Sequence, residues 1–470
     1  MLTGRKASLC AMVVDAWLAR AAAARGSRAA LICHGEEWDY ARLYGAARAG
    51  AAELAARGVG SRAHVAIALP GGADFAVALH ACLLLGAVAV PLDLRLSDPE
   101  RERATASCAL LVDRPLSGRA TGVAPGATPG VERAAGAGDV PPGATGVAPG
   151  ATGRVVCVGA PAPPRESHDL DAPAVRIYTS GSTATPKPVE LTYGNLLWSA
   201  LGSAVAIGLD SRERWLCAMP LSHIGGLSIL VRSAIYGTCA VVHERFDAER
   251  VLHALRAEEI TTVSLVATTL ARLLDAGLEH PSALRCALTG GGPVPRALLQ
   301  RALGVGVPVC LTYGLSEACS QVSTTPVAGV AGQLRDRLTA GPPLFCTRVA
   351  IAADGEILVA GPTVARGAVG EDGWLHTGDV GELEHALAGL QRERVDQPVR
   401  DGRGEAAHAV LLAHPAGCGG FPGVEAGLAV CLRVEAHVGT DCAASSRRSS
   451  LPDAVRGSGS ELRSSCLGTL

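Results

Sequence analysis

Short apolar runs alternate with helix-like segments along much of this chain. Residues 65–70 read V-A-I-A-L-P, followed by D-F-A-V-A-L-H-A-C-L-L-L-G and then A-V-A-V-P-L. That pattern predicts a strand, a helix stopped at Gly86, and a second strand. The unit recurs in T-C-A-V-V (238–242), D-A-E-R-V-L-H-A-L-R-A-E-E and T-T-V-S-L-V. It returns once more in R-C-A-L-T-G-G-G, a helical stretch and V-P-V-C-L-T-Y. Strand and helix alternating over this length predict an α/β fold with largely parallel sheets. Ligands of such sheets sit at the carboxyl ends of the strands, where glycine-rich loops collect.

At 470 residues the chain is too long for one ordinary core, and the breaks in its pattern suggest where it divides. Residues 1–113 and 170–383 carry the alternation and are expected to form one large domain. Between them, residues 114–169 are rich in Gly, Pro and Ala, and the nonamer A-T-G-V-A-P-G-A-T stands at both 120–128 and 144–152. Such a composition buries too little apolar surface to offset its ordering entropy, so a disordered insertion is expected. From 384 to 470 the periodic segments thin out. Only A-H-A-V-L-L-A-H-P (407–415) and G-L-A-V-C-L-R-V (427–434) look foldable, which predicts a small, degenerate C-terminal region.

A formal net charge of -2 with both signs interspersed gives no footprint for nucleic acid or an anionic membrane. Small molecules or other proteins are the expected partners. The 15 cysteines form no C-x-x-C pair and no Cys/His cluster, so a zinc or thiol-redox site is not indicated. The longest apolar run, Phe75 to Val90, is shorter than the ~20 residues of a membrane span and contains His80 and Gly86. The first residues mimic a secretory leader, but Asp15 interrupts them. A soluble, cytoplasmic protein with reduced thiols is expected.

Residues 177–188 read I-Y-T-S-G-S-T-A-T-P-K-P, and Lys187 is one of only two lysines, with Lys6. The preceding A-V-R-I-Y predicts a strand. The turn after it can aim backbone N–H groups and hydroxyls at an anion, with Lys187 adding a compact positive charge. It is not a Walker A loop, because Pro186 stands where that motif has glycine. On these residues alone, a Ser/Thr-rich hairpin and a serine-nucleophile loop of amidase type remain open beside the phosphate cradle.

Y-T-S-G-S-T-A-T-P-K-P resembles the phosphate-binding signature of the adenylate-forming acyl-CoA synthetase superfamily. Four further stretches follow in that family's order: P-L-S-H-I-G-G-L (220–227), T-G-G-G-P-V-P (289–295), T-Y-G-L-S-E (312–317) and G-W-L-H-T-G-D (373–379). W-D-Y-A-R-L and G-A-V-A-V-P-L-D match upstream, and the resemblance covers roughly residues 10–383 outside the insertion. Within the superfamily, P-K-P-V-E-L-T-Y-G-N and Y-G-L-S-E-A-C-S-Q-V are most similar to the 2-succinylbenzoate:CoA ligases of menaquinone biosynthesis.

The resemblance implies an ATP-dependent acid:CoA ligase acting through an acyl-adenylate on a small carboxylic acid, with Mg2+, coenzyme A as co-substrate, and a homodimer as the suggested assembly. It implies that Thr179, Ser180, Gly181, Ser182, Thr183 and Lys187 bind the phosphates of ATP. Glu317 is the implied magnesium ligand, since a hard carboxylate suits that ion. Tyr313 and Gly314 border the adenine, beside Gly290, Gly291 and Gly292, whose backbone can approach the base closely. Ser316 belongs to the same nucleotide site, and Asp379 takes the ribose hydroxyls. Ser222 and His223 border the acyl pocket and the entry of the thiol, giving Lys187, His223 and Glu317 as the implied catalytic residues.

Arg232 stands out without any family. It lies in the apolar context L-S-I-L-V-R-S-A-I, so it either snorkels to the surface or meets an anion in a pocket. In the resembled ligases the acid carries a second carboxylate, which an arginine can clamp with two parallel hydrogen bonds.

The family pattern breaks in two places. Ala184 stands where the loop normally has glycine, which predicts a strained loop if that position needs positive φ. The family's small terminal domain brings a lysine to the reacting carboxylate and phosphate, but no lysine follows Lys187 here. R-V-D (394–396) lies at the spacing of the hinge, making Arg394 the implied nucleotide contact of that region. Weakened adenylation, or a nucleotide-binding protein without catalysis, is the expectation from the tail.

Overall fold

The computed structural model describes residues 12–116, 164–179, 187–327, 339–386 and 429–435, of which 384–386 and 429–435 are described as backbone only. The alternating pattern becomes two sheets with helices around them. The larger has eight strands, in the order Ser320–Thr324, Val309–Leu315, Cys286–Thr289, Thr262–Leu265, Arg214–Cys217, Cys239–Val242, Ala29–Cys33 and Glu36–Asp39. Its six inner strands are parallel, and only the two edge pairs run antiparallel.

Both faces of this sheet are covered, as the Val- and Leu-rich strands require. Trp215, Cys217, Ala240 and Val242 join the core on one face, while Leu216 and Val241 join the core on the other. Period-two alternation thus feeds two cores from the same strands. Helices Ala248–Ala257, Ala267–Asp275 and Arg296–Gly304 close the second face.

The second sheet has five strands, in the order Leu110–Val112, His64–Ile67, Val88–Pro91, Pro173–Thr179 and Lys187–Thr192. Between the sheets lies helix Ala73–Leu85, in which every residue except Asp74 is buried. A helix apolar on all sides belongs in an interior, which accounts for the long run Phe75 to Val90. Gly86 ends it in the left-handed conformation at φ 73°, donating to the carbonyls of Cys82 and Leu83. No described helix is long and apolar enough to cross a membrane.

Residues 164–169, read from composition as the end of the insertion, are ordered. Ser167–Asp169 pairs antiparallel with Val13–Asp15, and His168 is buried against Trp17 and Tyr193. Three residues of strand carry too little periodicity to register against a Gly/Pro/Ala background. Residues 117–163, with both nonamers, lie outside the described residues.

A third sheet, Arg348–Ile351, Glu356–Ala360, Leu375–Ala386 and Ala429–Glu435, is antiparallel throughout. Its last strand is the apolar segment expected to fold near 427–434. A-H-A-V-L-L-A-H-P and Arg394 lie outside the described residues.

Candidate active site

The carboxyl ends of strands Arg214–Cys217, Thr262–Leu265, Cys286–Thr289 and Val309–Leu315 open onto a cavity of about 910 Å3. That is where parallel sheets of this kind present ligand sites. Ser222, His223, Arg232, Gly290, Gly291, Gly314 and Ser316 all line it. Residues 94 positions apart in sequence therefore share one wall.

The T-G-G-G loop follows strand Cys286–Thr289 directly. A Cβ on Gly290 would stand 2.6 Å from Thr312 Cγ2 and 2.7 Å from the Thr312 carbonyl oxygen, so only glycine fits against the neighbouring strand. Gly291 adopts φ 73°. Both bring bare backbone to the cavity, while Gly292 is exposed beyond its lining.

Strand Val309–Leu315 alternates in the same way. Thr312 and Gly314 line the cavity, whereas the half-buried Tyr313 turns its hydroxyl to Asp379 Oδ2 at 2.7 Å. Burial holds the Tyr313 phenol well above its ordinary pKa, with Thr377 opposing and Asp379 reinforcing the shift. Two of the expected nucleotide residues, 66 positions apart, are thus hydrogen-bonded to each other.

Asp379 is held by a turn with its own supports. The Asp379 N–H donates to Thr377 Oγ1 at 3.1 Å, and Thr377 Oγ1 donates to the Ile357 carbonyl at 2.7 Å. Glu356 accepts from the Gly378 N–H through Oε1 and pairs with His376 Nδ1 through Oε2, each at 2.8 Å. The other ring nitrogen of His376 meets Asp372 Oδ2 at 3.0 Å. Hydrogen bonds to Glu356 and Asp372 raise the His376 pKa. Sequence reading missed Glu356, because a glutamate in a strand ordinarily reads as a solvated charge.

Glu317 is the middle residue of the short helix Ser316–Ala318, half-buried, and its backbone carbonyl accepts from the Ala365 N–H at 2.7 Å. Among the described residues no group of three or more His, Cys, Asp or Glu side chains could hold a metal. One carboxylate still fits magnesium, which keeps most of its waters and takes substrate phosphates as further ligands.

His223 is the residue before helix Ile224–Tyr236 and is exposed at the cavity rim. Partial desolvation of the imidazole at the rim lowers its pKa, with Asp93 opposing and Arg95 adding to that shift. Those two form an ion pair at 2.7 Å and also line the cavity, a pair that the sequence did not single out.

Arg232 does not snorkel. It is 2% exposed, its Nη2 donates to Ser199 Oγ at 3.1 Å, and its Cζ stands 5.6 Å from the Trp215 ring. Its Nε is buried with no hydrogen-bond partner, and among the described residues no carboxylate pairs with it. Burial lowers its pKa, and Tyr236 and Cys319 partly offset that. Gln321, also 2% exposed and on the cavity wall, donates from Nε2 to Thr324 Oγ1 at 2.7 Å and leaves Oε1 without a partner.

The loop between strands Pro173–Thr179 and Lys187–Thr192 covers 180–186, so Ser180, Gly181, Ser182, Thr183 and Ala184 lie outside the described residues. Its two ends are fixed. Thr179 and Lys187 are cross-strand partners, and Thr179 Oγ1 donates to the Lys187 carbonyl at 3.4 Å. The two flanking strands pair antiparallel, and Lys187 is exposed at the start of the second.

The AMP-binding enzyme family profile matches residues 18–368. The chain belongs to the AMP-binding enzyme family. Among curated relatives in this family, the 2-succinylbenzoate–CoA ligase of Bacillus subtilis strain 168 is 35% identical over 427 residues, 85% of this chain and 82% of the relative. The ligase of the same name from Geobacillus kaustophilus is 34% identical over 410 residues, covering 80% and 77%. Among solved structures, the o-succinylbenzoate coenzyme A synthetase of Bacillus subtilis in complex with AMP superposes with a TM-score of 0.66 at 32% identity, over 79% of this chain and 76% of that one. Its complex with ATP and magnesium gives a TM-score of 0.65 at 32% identity, over 79% and 77%. The first two sheets and the glycine loop described above lie within the matched residues 18–368.

Proposed function

We propose that this AMP-binding enzyme is an ATP-dependent acid:CoA ligase that acts on 2-succinylbenzoate through an acyl-adenylate, as a step of menaquinone synthesis. The observation that carries the choice of substrate is Arg232. A buried guanidinium with a spare N–H, no acidic partner among the described residues and a place on the cavity wall calls for an anionic ligand. An acid with one carboxylate at the reacting end and another at depth fits that requirement.

In the first step a substrate carboxylate oxygen attacks the α-phosphorus of ATP, a P–O bond forms, and pyrophosphate leaves. Thr179, Ser180, Gly181, Ser182, Thr183 and Lys187 cradle the phosphates, Lys187 supplying the cation. Glu317 would hold magnesium, whose charge would offset that of the polyphosphate. Gly290, Gly291, Gly314 and Ser316 shape the nucleotide wall, and Tyr313, outside the cavity lining, borders the base side while its hydroxyl holds Asp379, which accepts from the ribose hydroxyls. In the second step the thiol of coenzyme A attacks the acyl carbon and AMP departs. His223, kept neutral by its lowered pKa, takes the thiol proton at the rim beside Ser222.

The tail favours a slow first step. Residues 188–470 contain no lysine to serve at the reacting oxygen, and Arg394, near the hinge spacing, is the candidate cation within that stretch. A nucleotide-binding protein without turnover is the second reading, and the same lysine-free tail favours it. Magnesium-dependent ATP–pyrophosphate exchange separates the two. Exchange stimulated by 2-succinylbenzoate above a panel of aryl and fatty acids is the expected result. Measurable ATP binding with no exchange for any acid would overturn the ligase reading in favour of the second.

A further inference from the structure

We propose that Ser199 is a positioning residue that ties the guanidinium of Arg232 to the turn carrying Glu317, so that acid recognition and the phosphate end of the site share one anchor. This rests on the reading of Arg232 as the clamp for the second carboxylate. Ser199 lies within helix Tyr193–Ile207 and is 2% exposed. Its hydroxyl has one proton, and the Cys319 carbonyl oxygen accepts it at 2.6 Å. Toward Arg232 the same oxygen therefore accepts, at 3.1 Å from Nη2.

The turn that Ser199 grips is not one the chain would keep unaided. Cys319 and Ser320 both adopt positive φ, 54° and 91°, a region that non-glycine residues leave unless their surroundings hold them. On one side, Gly314 packs so closely that a Cβ there would stand 1.7 Å from the Ser320 carbonyl oxygen. On the other, the Ser199 hydroxyl holds the Cys319 carbonyl, and the Cys319 N–H donates back to Ser316 at 3.0 Å. Glu317 sits inside this closed loop. Arg232 and Ser320 both face the cavity, so one hydroxyl fixes the guanidinium relative to the segment that presents Glu317.

Removing that hydroxyl takes the only acceptor found for Arg232 among the described residues and the donor to the Cys319 carbonyl together. The loss of one charge-assisted hydrogen bond corresponds to about a tenfold change in affinity. The test is calorimetric titration of 2-succinylbenzoate and of benzoate, in the presence of AMP, into the full-length wild type, Ser199→Ala, Ser199→Thr, Arg232→Met and the Ser199→Ala/Arg232→Met double variant. Thermal melts of each check folding. Ser199→Ala should bind the dicarboxylic acid about tenfold more weakly and benzoate unchanged, Ser199→Thr should recover part of that loss, and in the Arg232→Met background Ser199→Ala should add nothing further. If wild type binds 2-succinylbenzoate and Ser199→Ala binds it equally well, or the two losses simply add, the positioning role fails while the substrate reading stands. If wild type does not bind the acid, that reading fails and this inference with it.

Discussion

Arg232→Met separates stability from recognition, because loss of the buried charge acts on the two with opposite signs. In the folded protein the guanidinium is desolvated, yet among the described residues only Ser199 Oγ takes one of its N–H groups. Replacing a buried, poorly compensated charge with an apolar side chain of similar length is neutral or stabilising, by about 1–3 kcal/mol in comparable cases. The Ser199–Arg232 hydrogen bond returns about 1 kcal/mol in the other direction. Net stability should therefore stay level or rise by about 1–2 kcal/mol, which is a few degrees in thermal midpoint for a domain of this size. Binding of the dicarboxylic acid loses a buried ion pair, about 2–4 kcal/mol, or on the order of a hundredfold in Kd. Urea melts followed by circular dichroism read the first quantity, and calorimetric titration of 2-succinylbenzoate reads the second. A variant that is destabilised by several kcal/mol and binds the acid normally would refute the reasoning, since Arg232 would then be a structural residue.

Other consequences can be checked in the same preparations. Burial holds His80 and His168 neutral, with pKa values lowered from 6.5 to about 4 and about 3. Their contribution is intact above pH ~6.5 and is lost as pH falls toward those values, by about 1.4 kcal/mol per unit for each, so about 4 kcal/mol in all between pH 7 and 5. A chemical-denaturation series over that range measures it, and His80→Leu should flatten the curve. Glu213, buried beside the start of strand Arg214–Cys217, accepts from Arg285 Nη2 at 2.6 Å and from Thr262 Oγ1. Glu213→Ala should cost about 3 kcal/mol by leaving the Arg285 charge unpaired, yet leave acid and nucleotide affinity unchanged, because it lies at the opposite strand ends from the cavity. Gly290→Ala forces a Cβ against Thr312 and should weaken ATP binding about tenfold, with a loss of about 1–3 kcal/mol in stability. Lys187→Ala should weaken ATP binding also, and unchanged affinity would remove the phosphate role from that lysine.

The sheets were legible because parallel strands buried on two faces spell out continuous apolar runs, such as A-V-A-V-P-L and T-T-V-S-L-V, each set off by its helix. The cavity wall was legible where chemistry is rare in its context: three glycines after a strand, and an arginine inside L-S-I-L-V-R-S-A-I. Ser199 was not, since L-L-W-S-A-L-G-S gives a helical serine no distinguishing neighbour, and its role exists only through Arg232 and Cys319, which are 33 and 120 positions away. Glu356 was hidden for the same reason, acting through a turn 22 residues further on. Gln321 left a faint signal as an amide inside the strand Ser320–Thr324, one that period-two reading assigns to a face without saying what that face meets.

The central claim is that the cavity holds an acid by its second carboxylate while the first is joined to AMP. A crystal structure of the full-length chain with a non-hydrolysable 2-succinylbenzoyl-adenylate analogue tests it directly. The free carboxylate is expected within hydrogen-bonding distance of the Arg232 guanidinium, the adenine against Gly290 and Gly291, and the ribose hydroxyls on Asp379. An analogue bound with its free carboxylate in solvent, and Arg232 still facing only Ser199, would contradict it.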